Sequence, residues 1–398
     1  MRDGFLNLSG HGLKNQIMFK RISLNNFKIF SSRVPLEMEK FTIMYGKNGR
    51  GKSSVIQSLL LLTQSLNENN GTLNYLSING PLTELGSFED IRNRYSDANK
   101  PIGFEIENDL GEVLSLEFSR VPDKPTIGKL VSLHVGGKSY VSENEMEGDI
   151  EGRERVDSNG PIILPQSDIR SYSSLKSLSY VSAGRLGPRN FEERKDFPAQ
   201  FDLDSKGEWI INSLASQTSD FVDRLSQELS LILSGATIRI FNNDKTPDRI
   251  DLFIDSSNSD HDGFRPKNVG FGYSYVLPII YRTMIAAKGS TIVVENPEAH
   301  LYPGAQSRLM DFLVKYAVRN NLQVILETHS DHIINGLRLA VKEGRAFPND
   351  CSILFFDRDE DDRLAPQVTP IRIDSRGALS YQPRDFMDEW TRQMLALL

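Results

Sequence analysis

One short stretch of this sequence decides the fold: Gly46-Lys47-Asn48-Gly49-Arg50-Gly51-Lys52-Ser53, which has the spacing G-x-x-x-x-G-K-S. Residues 41–45 before it have an apolar strand pattern, and residues 55–66 after it have an aliphatic helix pattern. In such a unit the glycines let backbone N–H groups point inward, and the helix N-terminus adds partial positive charge. Lys52 is then expected to reach the β- and γ-phosphates and Ser53 to ligate Mg²⁺, so the ligand should be a nucleoside triphosphate. The alternative is a chance glycine turn, which leaves the flanking strand and helix patterns unexplained.

The composition limits the class of protein. The 398 residues exceed what one hydrophobic core usually serves, and 39% hydrophobic with 25% charged residues is typical of a globular chain. A net charge of −7 argues against nonspecific nucleic-acid binding over the whole surface, but not against a local basic groove. Because Cys351 is the only cysteine, one chain can form no disulfide, and a reducing, cytoplasmic location is expected. No apolar run approaches the roughly 20 residues that span a bilayer, so no membrane contact is predicted.

The pattern along the chain predicts four parts. Residues 1–17 are a leader that we expect to be disordered, and residues 18–73 form the N-terminal part of the core, with the glycine loop. Residues 74–260 form an inserted lobe, in which 102–106 and 114–118 alternate as half-buried antiparallel strands and the acidic stretch 142–174 is flexible. Residues 261–398 alternate strand and helix, which predicts a parallel sheet covered by helices.

Two later strands end in polar side chains. Residues 291–294 are aliphatic and lead into Glu295-Asn296-Pro297-Glu298, an arrangement that predicts the acid of a phosphate-loop metal site at Glu295. The strand 323–326 ends just before His329, where ligands of open α/β sheets collect, so His329 is predicted to sense the γ-phosphate. The alternatives are an acidic turn for the first motif and a structural histidine for the second.

With Asn268-Val269-Gly270-Phe271-Gly272-Tyr273-Ser274 before a helix, these motifs resemble the ABC-like AAA ATPases of the OLD and SMC class. The resemblance covers roughly residues 19–65 and 268–342 and a short C-terminal tail. Within the class the sequence is most similar to prokaryotic single-chain ATPases with ENPEAHL and ETHSDH motifs, several of which accompany nucleases in anti-phage defence. The implied fold is α/β: an ABC-ATPase-like P-loop domain with a mixed sheet, flanking helices and an inserted β/helical region.

The resemblance also implies roles for particular residues. Glu295 is the Walker B acid and a metal ligand with Ser53, His329 is the switch histidine, and the cofactors are ATP and Mg²⁺. In ABC-like dimers the signature motif reaches the γ-phosphate bound by the partner, although the same glycines are also typical of a simple helix-entry turn. The residues expected to contact nucleotide are Gly46, Lys47, Asn48, Gly49, Arg50, Gly51, Lys52, Ser53, Ser54, Gly270, Gly272 and Ser274.

The sequence departs from that pattern in the catalytic positions. ABC-type sites usually have a glutamate after the Walker B acid, whereas this chain has Asn296, whose amide can orient water but cannot take its proton. Glu298 is the candidate substitute, so hydrolysis is expected to be slow or dependent on assembly. No Q-loop glutamine is evident, because Gln57 and Gln64 lie on the helix after the glycine loop and are expected at its surface or core edge. Tyr275 stands where the resembling sequences often have glutamine.

A basic segment lies between the nucleotide motifs. Arg185, in a stretch that recurs in the same family, is expected to pair with phosphate or with a dimer neighbour. Arg189, Arg194 and Lys195 extend the cluster, which is consistent with a DNA contact, although a solvated face is the more common role of such residues.

Three functions therefore compete at the level of sequence. The first is an ATPase that dimerises around nucleotide, as a homodimer or higher homo-oligomer, and regulates an effector protein such as a nuclease. The second is an OLD-like metal-dependent nuclease, suggested by the acid-x-acid pattern at 357–362, for which an acidic hairpin turn is the better interpretation. The third is an ATP-gated scaffold with little turnover, suggested by Asn296.

Overall fold

The computed structural model describes residues 17–142, 153–156, 170–195, 204–242, 247–255, 263–358, 366–383, 386–387 and 389–397. The predicted leader lies outside them except for residue 17, and so does most of the stretch 142–174. The helices are α1 (Lys52–Glu68), α2 (Phe88–Ile91), α3 (Arg170–Lys176), α4 (Ile210–Ala215), α5 (Ser219–Leu233), α6 (Gly272–Ile285), α7 (Pro303–Asn320), α8 (Asp331–Lys342) and α9 (Glu389–Leu397).

The strands fall into three sheets. They are β1 (Phe19–Asn25), β2 (Val34–Glu37), β3 (Phe41–Gly46), β4 (Tyr75–Ser77), β5 (Ile102–Asn108), β6 (Val113–Arg120), β7 (Ile127–Val135), β8 (Lys138–Ser142), β9 (Arg153–Val156), β10 (Leu178–Val181), β11 (Phe191–Glu193), β12 (Thr237–Asn242), β13 (Arg249–Asp255), β14 (Thr291–Glu295), β15 (Gln323–Glu327), β16 (Cys351–Arg358) and β17 (Pro366–Ile371).

The central sheet has six strands in the order β10-β14-β15-β3-β16-β17. Its first five strands are parallel and β17 pairs antiparallel with β16, so the predicted mixed sheet is confirmed. Strands β14 and β15 read as continuous apolar runs because both of their faces are covered. Parallel neighbours place their carboxyl ends at one edge, and that edge receives the glycine loop and the two polar strand ends.

A second sheet of eight strands is mainly antiparallel, in the order β2-β1-β5-β6-β7-β8-β9 with β4 on β7. In β5 every second residue is buried from Ile102 onward, and Phe104 lies opposite Leu116 of β6, so the alternation predicted for 102–106 and 114–118 is confirmed. Within the stretch 142–174 the described pieces are β9, which pairs parallel with β8, and most of α3. The third sheet has the order β11-β13-β12, and β13 pairs antiparallel with both of its neighbours.

Helix α1 lies between the central and the eight-stranded sheets, which explains its aliphatic sequence. Leu59, Leu60, Leu61 and Leu62 are all buried, although no helical face contains four consecutive residues. A helix that is apolar all round must be covered on all sides. The packing of α1 therefore fixes the position of the glycine loop at its N-terminus. None of the described helices is both long and apolar enough to span a bilayer.

The two glutamines of α1 have different surroundings. Gln64 is fully buried: its Nε2 donates to the Ser77 carbonyl at 2.7 Å, and its Oε1 accepts from Thr83 N at 3.0 Å. Gln57 is only partly buried and its Oε1 accepts from the Lys28 ammonium. Gln64 thus connects α1 to the inserted lobe, and Gln57 connects it to the segment that follows β1.

Replacing Gln64 by alanine should lower the free energy of unfolding by about 2 kcal/mol, because the Ser77 carbonyl and the Thr83 amide would lose their partner. Gln57→Ala is the matched control on the same helix, with an expected loss below about 1 kcal/mol. Urea denaturation of both variants measures the difference. An equal decrease in the free energy of unfolding in both variants would show that the Gln64 hydrogen bonds do not stabilise the contact between α1 and the lobe.

Candidate functional site

The glycine loop has a backbone that only glycine supports. Gly46, Gly49 and Gly51 have φ values of 131°, 70° and 101°, in the left-handed region. A Cβ on Gly46 would lie 2.2 Å from the Phe356 carbonyl oxygen, which also accepts a hydrogen bond from Lys47 N at 3.2 Å. Strand β16 therefore touches the base of the loop and leaves no room for a side chain there.

The Lys52 side chain lies inside the curled glycine loop. That side chain is 3% exposed, and Nζ donates to the carbonyl oxygens of Gly46 and Lys47, each at 2.8 Å. Burial lowers the pKa of the Lys52 ammonium, and the nearby Glu327 carboxylate acts in the opposite direction. An ammonium placed in a curled loop of backbone amides is the arrangement that binds a polyphosphate.

Ser53 does not contact Glu295, the acid that the sequence paired with it. Its hydroxyl donates to Glu327 Oε1 at 2.9 Å. Glu327 ends β15, which lies between the loop strand β3 and β14. The Glu327 side chain is 6% exposed, and its Oε2 has no hydrogen-bond partner in the part of the chain that the structure describes. Burial, followed by the charge of Glu295, raises the pKa of the Glu327 carboxyl to about 7.

Glu295 is bound on the opposite side, toward β10. Its Oε2 accepts from the Tyr180 hydroxyl at 2.9 Å and from Ala183 N at 3.2 Å. Burial and the Glu295 charge raise the pKa of the Tyr180 hydroxyl. Asn296 follows with φ of 44°, and its N–H donates to the Glu327 carbonyl at 2.8 Å. The backbone leaving β14 is thus fixed to the end of β15.

Glu298 and His329 meet beside these strand ends. The Glu298 carboxylate accepts from the Thr328 hydroxyl at 2.7 Å and from His329 N at 2.8 Å. Burial and the Lys52 charge lower the pKa of the His329 imidazole, with Glu298 opposing them. Because Lys52 perturbs His329, the switch-histidine candidate shares the electrostatic environment of the glycine loop.

Arg185 has a structural role that the sequence did not predict. Its guanidinium is 3% exposed and donates to the carbonyls of Ser182 and Glu295 at 2.8 Å and of Asn296 at 2.6 Å. Burial lowers its pKa to about 10, and the Tyr275 ring lies 5.5 Å from it. The N–H groups of Arg185 were expected to bind phosphate or a neighbouring subunit. They instead bind the backbone at the end of β14.

The rest of the basic segment also contacts this chain. Arg189 donates to the Glu208 carbonyl at 3.1 Å, and Arg194 to the Pro247 carbonyl at 2.9 Å. Lys195 lies 3.7 Å from the Glu193 carboxylate. These contacts favour the solvated-face interpretation over a DNA-binding groove.

The glycine-rich segment before α6 packs against the turn that follows β14. A Cβ on Gly272 would lie 2.8 Å from the His300 carbonyl oxygen, whereas Gly270 has open space around it. The rings of Phe271 and Tyr275 lie 5.5 and 4.2 Å from the His300 ring. The helix begins at Gly272, so Ser274 lies in its first turn, where backbone N–H groups have no helical partner.

The acid-x-acid stretch gives little support to a nuclease centre. Asp357 lies near the end of β16, which forms an antiparallel pair with β17, and its carboxylate lies 3.1 Å from the Lys47 ammonium. Residues 359–365 lie outside the described part of the chain. Among the residues described, no group of three or more His, Cys, Asp or Glu side chains could hold a metal ion.

The donor set fits a magnesium nucleotide. Mg²⁺ requires hard oxygen ligands and is usually held by one or two carboxylates together with substrate phosphates. The Ser53 hydroxyl and the unpartnered Glu327 oxygen supply such ligands next to the glycine loop. The sequence singled out Ser53, Glu295 and Arg185, the last with a different partner, but missed Glu327 and Tyr180 as members of this site. Two glutamates ending adjacent strands were the available signal for Glu327.

Comparison with known proteins gives a family match over most of the chain. A family model described as "AAA domain, putative AbiEii toxin, Type IV TA system" matches residues 41–335. A second model, for the family of proteins of unknown function DUF3696, matches residues 347–397. No curated protein gave a significant match.

Solved structures of SMC heads are among those similar to this chain. The SMC head bound to the C-winged helix domain of ScpA has a TM-score of 0.50 at 14% identity, over 89% of this chain and 98% of that chain. The SMC head domain from Thermotoga maritima has a TM-score of 0.48 at 13% identity, over 89% and 99%. The head with an extended coiled coil, bound to the C-terminal domain of ScpA derived from Pyrococcus furiosus, has a TM-score of 0.47 at 12% identity, over 96% and 99%. At these identities the similarity to the first of them concerns the fold alone, which is that of an ABC-ATPase-like P-loop domain.

The raised pKa of Glu327 predicts a pH-dependent stability of the metal-free protein. Because the folded-state pKa is about 7 against 4.5 for an ordinary glutamate, the folded protein retains a proton that the unfolded chain releases. The contribution is fully present below about pH 4.5 and is lost as the pH rises through 7, with a limit of about 3 kcal/mol. Glu327→Gln should therefore stabilise the protein more at pH 8 than at pH 5. Thermal unfolding in EDTA measures this, and an equal effect at both pH values would contradict the assignment.

Proposed function

This chain belongs to the AAA-domain family described as a putative AbiEii toxin of type IV TA systems, and from that premise we propose that it is a Mg²⁺-dependent ATPase that closes around nucleotide as a dimer. The observation that carries the proposal is the Lys52 ammonium inside the curled glycine loop, beside a hydroxyl and two strand-end carboxylates. Such a constellation binds a triphosphate with its cation and aligns the terminal phosphate for transfer to water.

The nucleotide is held by the loop and helix N-terminus from residue 46 to residue 54. The backbone amides of the loop would contact the phosphate oxygens. The Lys52 ammonium, which donates to two backbone carbonyls, would then donate to the β- and γ-phosphates. Ser53 would ligate the cation, and Glu295, as the Walker B acid, would hold it through its negative charge; the cation would supply positive charge that offsets the phosphates. His329 would contact the γ-phosphate through its ring, the pKa of which burial and the Lys52 charge lower.

The attacking water is activated in an unusual way. Asn296 orients water through its amide but takes no proton. Glu298 carries the carboxylate that accepts the proton, and its contacts with Thr328 and His329 place it beside the switch histidine. Because the Asn296 amide takes no proton and the Glu298 carboxylate already accepts two hydrogen bonds, turnover is slow until assembly completes the site.

Closure involves the signature segment of a second copy. Gly270, Gly272 and Ser274 at the start of α6 offer helix N-terminal amides to the γ-phosphate bound by the partner chain. The nucleotide drives closure only through contacts that are better in the closed state. The dimer then regulates an effector protein such as a nuclease, in the manner of OLD-class proteins of anti-phage defence. That an SMC head was crystallised with a domain of ScpA supports partner binding by this fold.

Lys52→Ala should abolish measurable ATP binding, because no other ammonium lies inside the loop among the described residues. Lys315→Ala is the matched control, since that exposed lysine pairs with Glu228 on the helical side of the domain. Isothermal titration with ATP and Mg²⁺ is the measurement, after circular dichroism has shown that both variants fold. Unchanged ATP affinity in folded Lys52→Ala would refute the proposed function.

Glu298→Gln should convert the protein into a stable nucleotide-bound dimer, because loss of the base stops hydrolysis while the closing contacts remain. The measurement is molecular mass by light scattering, with and without ATP and Mg²⁺, for the variant and the wild type. A mass that doubles only with nucleotide agrees with the dimer. A monomer under every condition would contradict it, and equal doubling with no turnover in the wild type would instead identify an ATP-gated scaffold.

A further inference from the structure

The Walker B position is not the carboxylate nearest to the metal-binding hydroxyl. Ser53 donates to Glu327 Oε1 at 2.9 Å, whereas Glu295 Oε2 is held by Tyr180 and by Ala183 N. The two carboxylates thus bind to opposite partners, one on the glycine loop and one on β10. A cation bound by Ser53 would meet Glu327 first.

The second oxygen of Glu327 is buried without a partner. The Glu327 side chain is more than nine-tenths buried. Its Oε2 is inaccessible to solvent and accepts no hydrogen bond from the described residues. Buried carboxylate oxygens are ordinarily satisfied by donors or by metal ions, because desolvation without a partner is costly. The site is therefore arranged for a group that the chain itself does not provide.

The strand register places a second negative charge beside it. Glu295 and Glu327 are direct partners in the parallel pair β14–β15. Neighbouring strands lie about 4.8 Å apart, and paired residues have their side chains on the same face of the sheet. Nearby Lys52 directs its ammonium to the carbonyls of Gly46 and Lys47. Two adjacent carboxylates repel each other unless a cation lies between or beside them.

We propose that Glu327 is a carboxylate ligand of the divalent cation, an assignment that rests on the proposed function. Its Oε1 accepts the hydrogen bond that the Ser53 hydroxyl donates, which leaves the Ser53 lone pairs available to a cation. Its Oε2 supplies the carboxylate oxygen of the coordination shell. Glu295, tied to Tyr180 and Ala183, contributes its charge from the next strand. The metal site of this chain is then built on three neighbouring strands, with Glu327 at its centre.

The test separates cation binding from nucleotide binding. The affinity of ATP is measured by isothermal titration in EDTA, and the affinity of Mn²⁺ for the protein–ATP complex by the loss of its free electron paramagnetic resonance signal. The variants are Glu327→Gln, Glu295→Gln and, as a control, Glu343→Gln, whose carboxylate pairs with Arg345 at the surface. Glu327→Asp shortens the side chain and keeps the charge.

In Glu327→Gln we expect the Mn²⁺ dissociation constant to rise at least about tenfold, while metal-free ATP binds equally or more tightly because a negative charge is removed. Glu343→Gln should match the wild type, and Glu327→Asp should fall between. A purely structural Glu327 would instead weaken metal-free ATP binding as well, which would overturn the assignment.

Failure of the inference and failure of the proposed function are distinguishable. Wild-type protein that binds ATP and Mn²⁺, together with unchanged Mn²⁺ affinity in Glu327→Gln and a loss only in Glu295→Gln, overturns the role of Glu327 alone. Wild-type protein that binds no ATP overturns the proposed function and the role of Glu327 with it.

Discussion

The alignment of three parallel strand ends is the constraint on which the site depends. Strands β3, β15 and β14 are hydrogen-bonded in that order, so the glycine loop, Glu327 and Glu295 emerge at one edge of the sheet. Parallel pairing in the opposite order, or a shift in register by one residue, would turn these side chains to other faces. The contact between Ser53 and Glu327 exists because that register holds.

Concentrated charge is the cost of this arrangement. The side chains of Lys52, Arg185 and Glu327 are almost fully buried. Burial lowers the pKa of Lys52 and of Arg185 and raises that of Glu327, so it favours the neutral form of each. The hydrogen bonds of the two cations go to backbone carbonyls, not to carboxylates, and the two glutamates lie side by side at the ends of adjacent strands. Two neighbouring buried carboxylates favour the binding of a cation, because its charge offsets both their mutual repulsion and the cost of their desolvation.

Contacts on the β10 side connect the site to the rest of the domain. Tyr180 and Arg185 bind the side chain and the backbone at the end of β14, and Tyr275 of α6 lies over Arg185. Tyr275 and Phe271 in turn pack on His300, in the turn after β14. Packed groups therefore run continuously from the proposed metal site to the glycine-rich start of α6, the segment proposed to contact a second copy.

Local sequence patterns determined the parts of this protein that depend on neighbours in the chain. The strand, glycine loop and helix at residues 41–66, the alternating strands at 102–118 and the two strands with polar ends all follow from spacing and periodicity, which act over a few residues. The mixed sheet and the P-loop fold follow from the order of those units. Tertiary structure decided the contacts between these units. The Ser53 hydroxyl donates to Glu327 and not to Glu295, and the Arg185 guanidinium donates to backbone carbonyls. Gln64 is buried and connects α1 to the inserted lobe. These contacts join residues that are widely separated in sequence and are set by strand order and register, which no local pattern encodes.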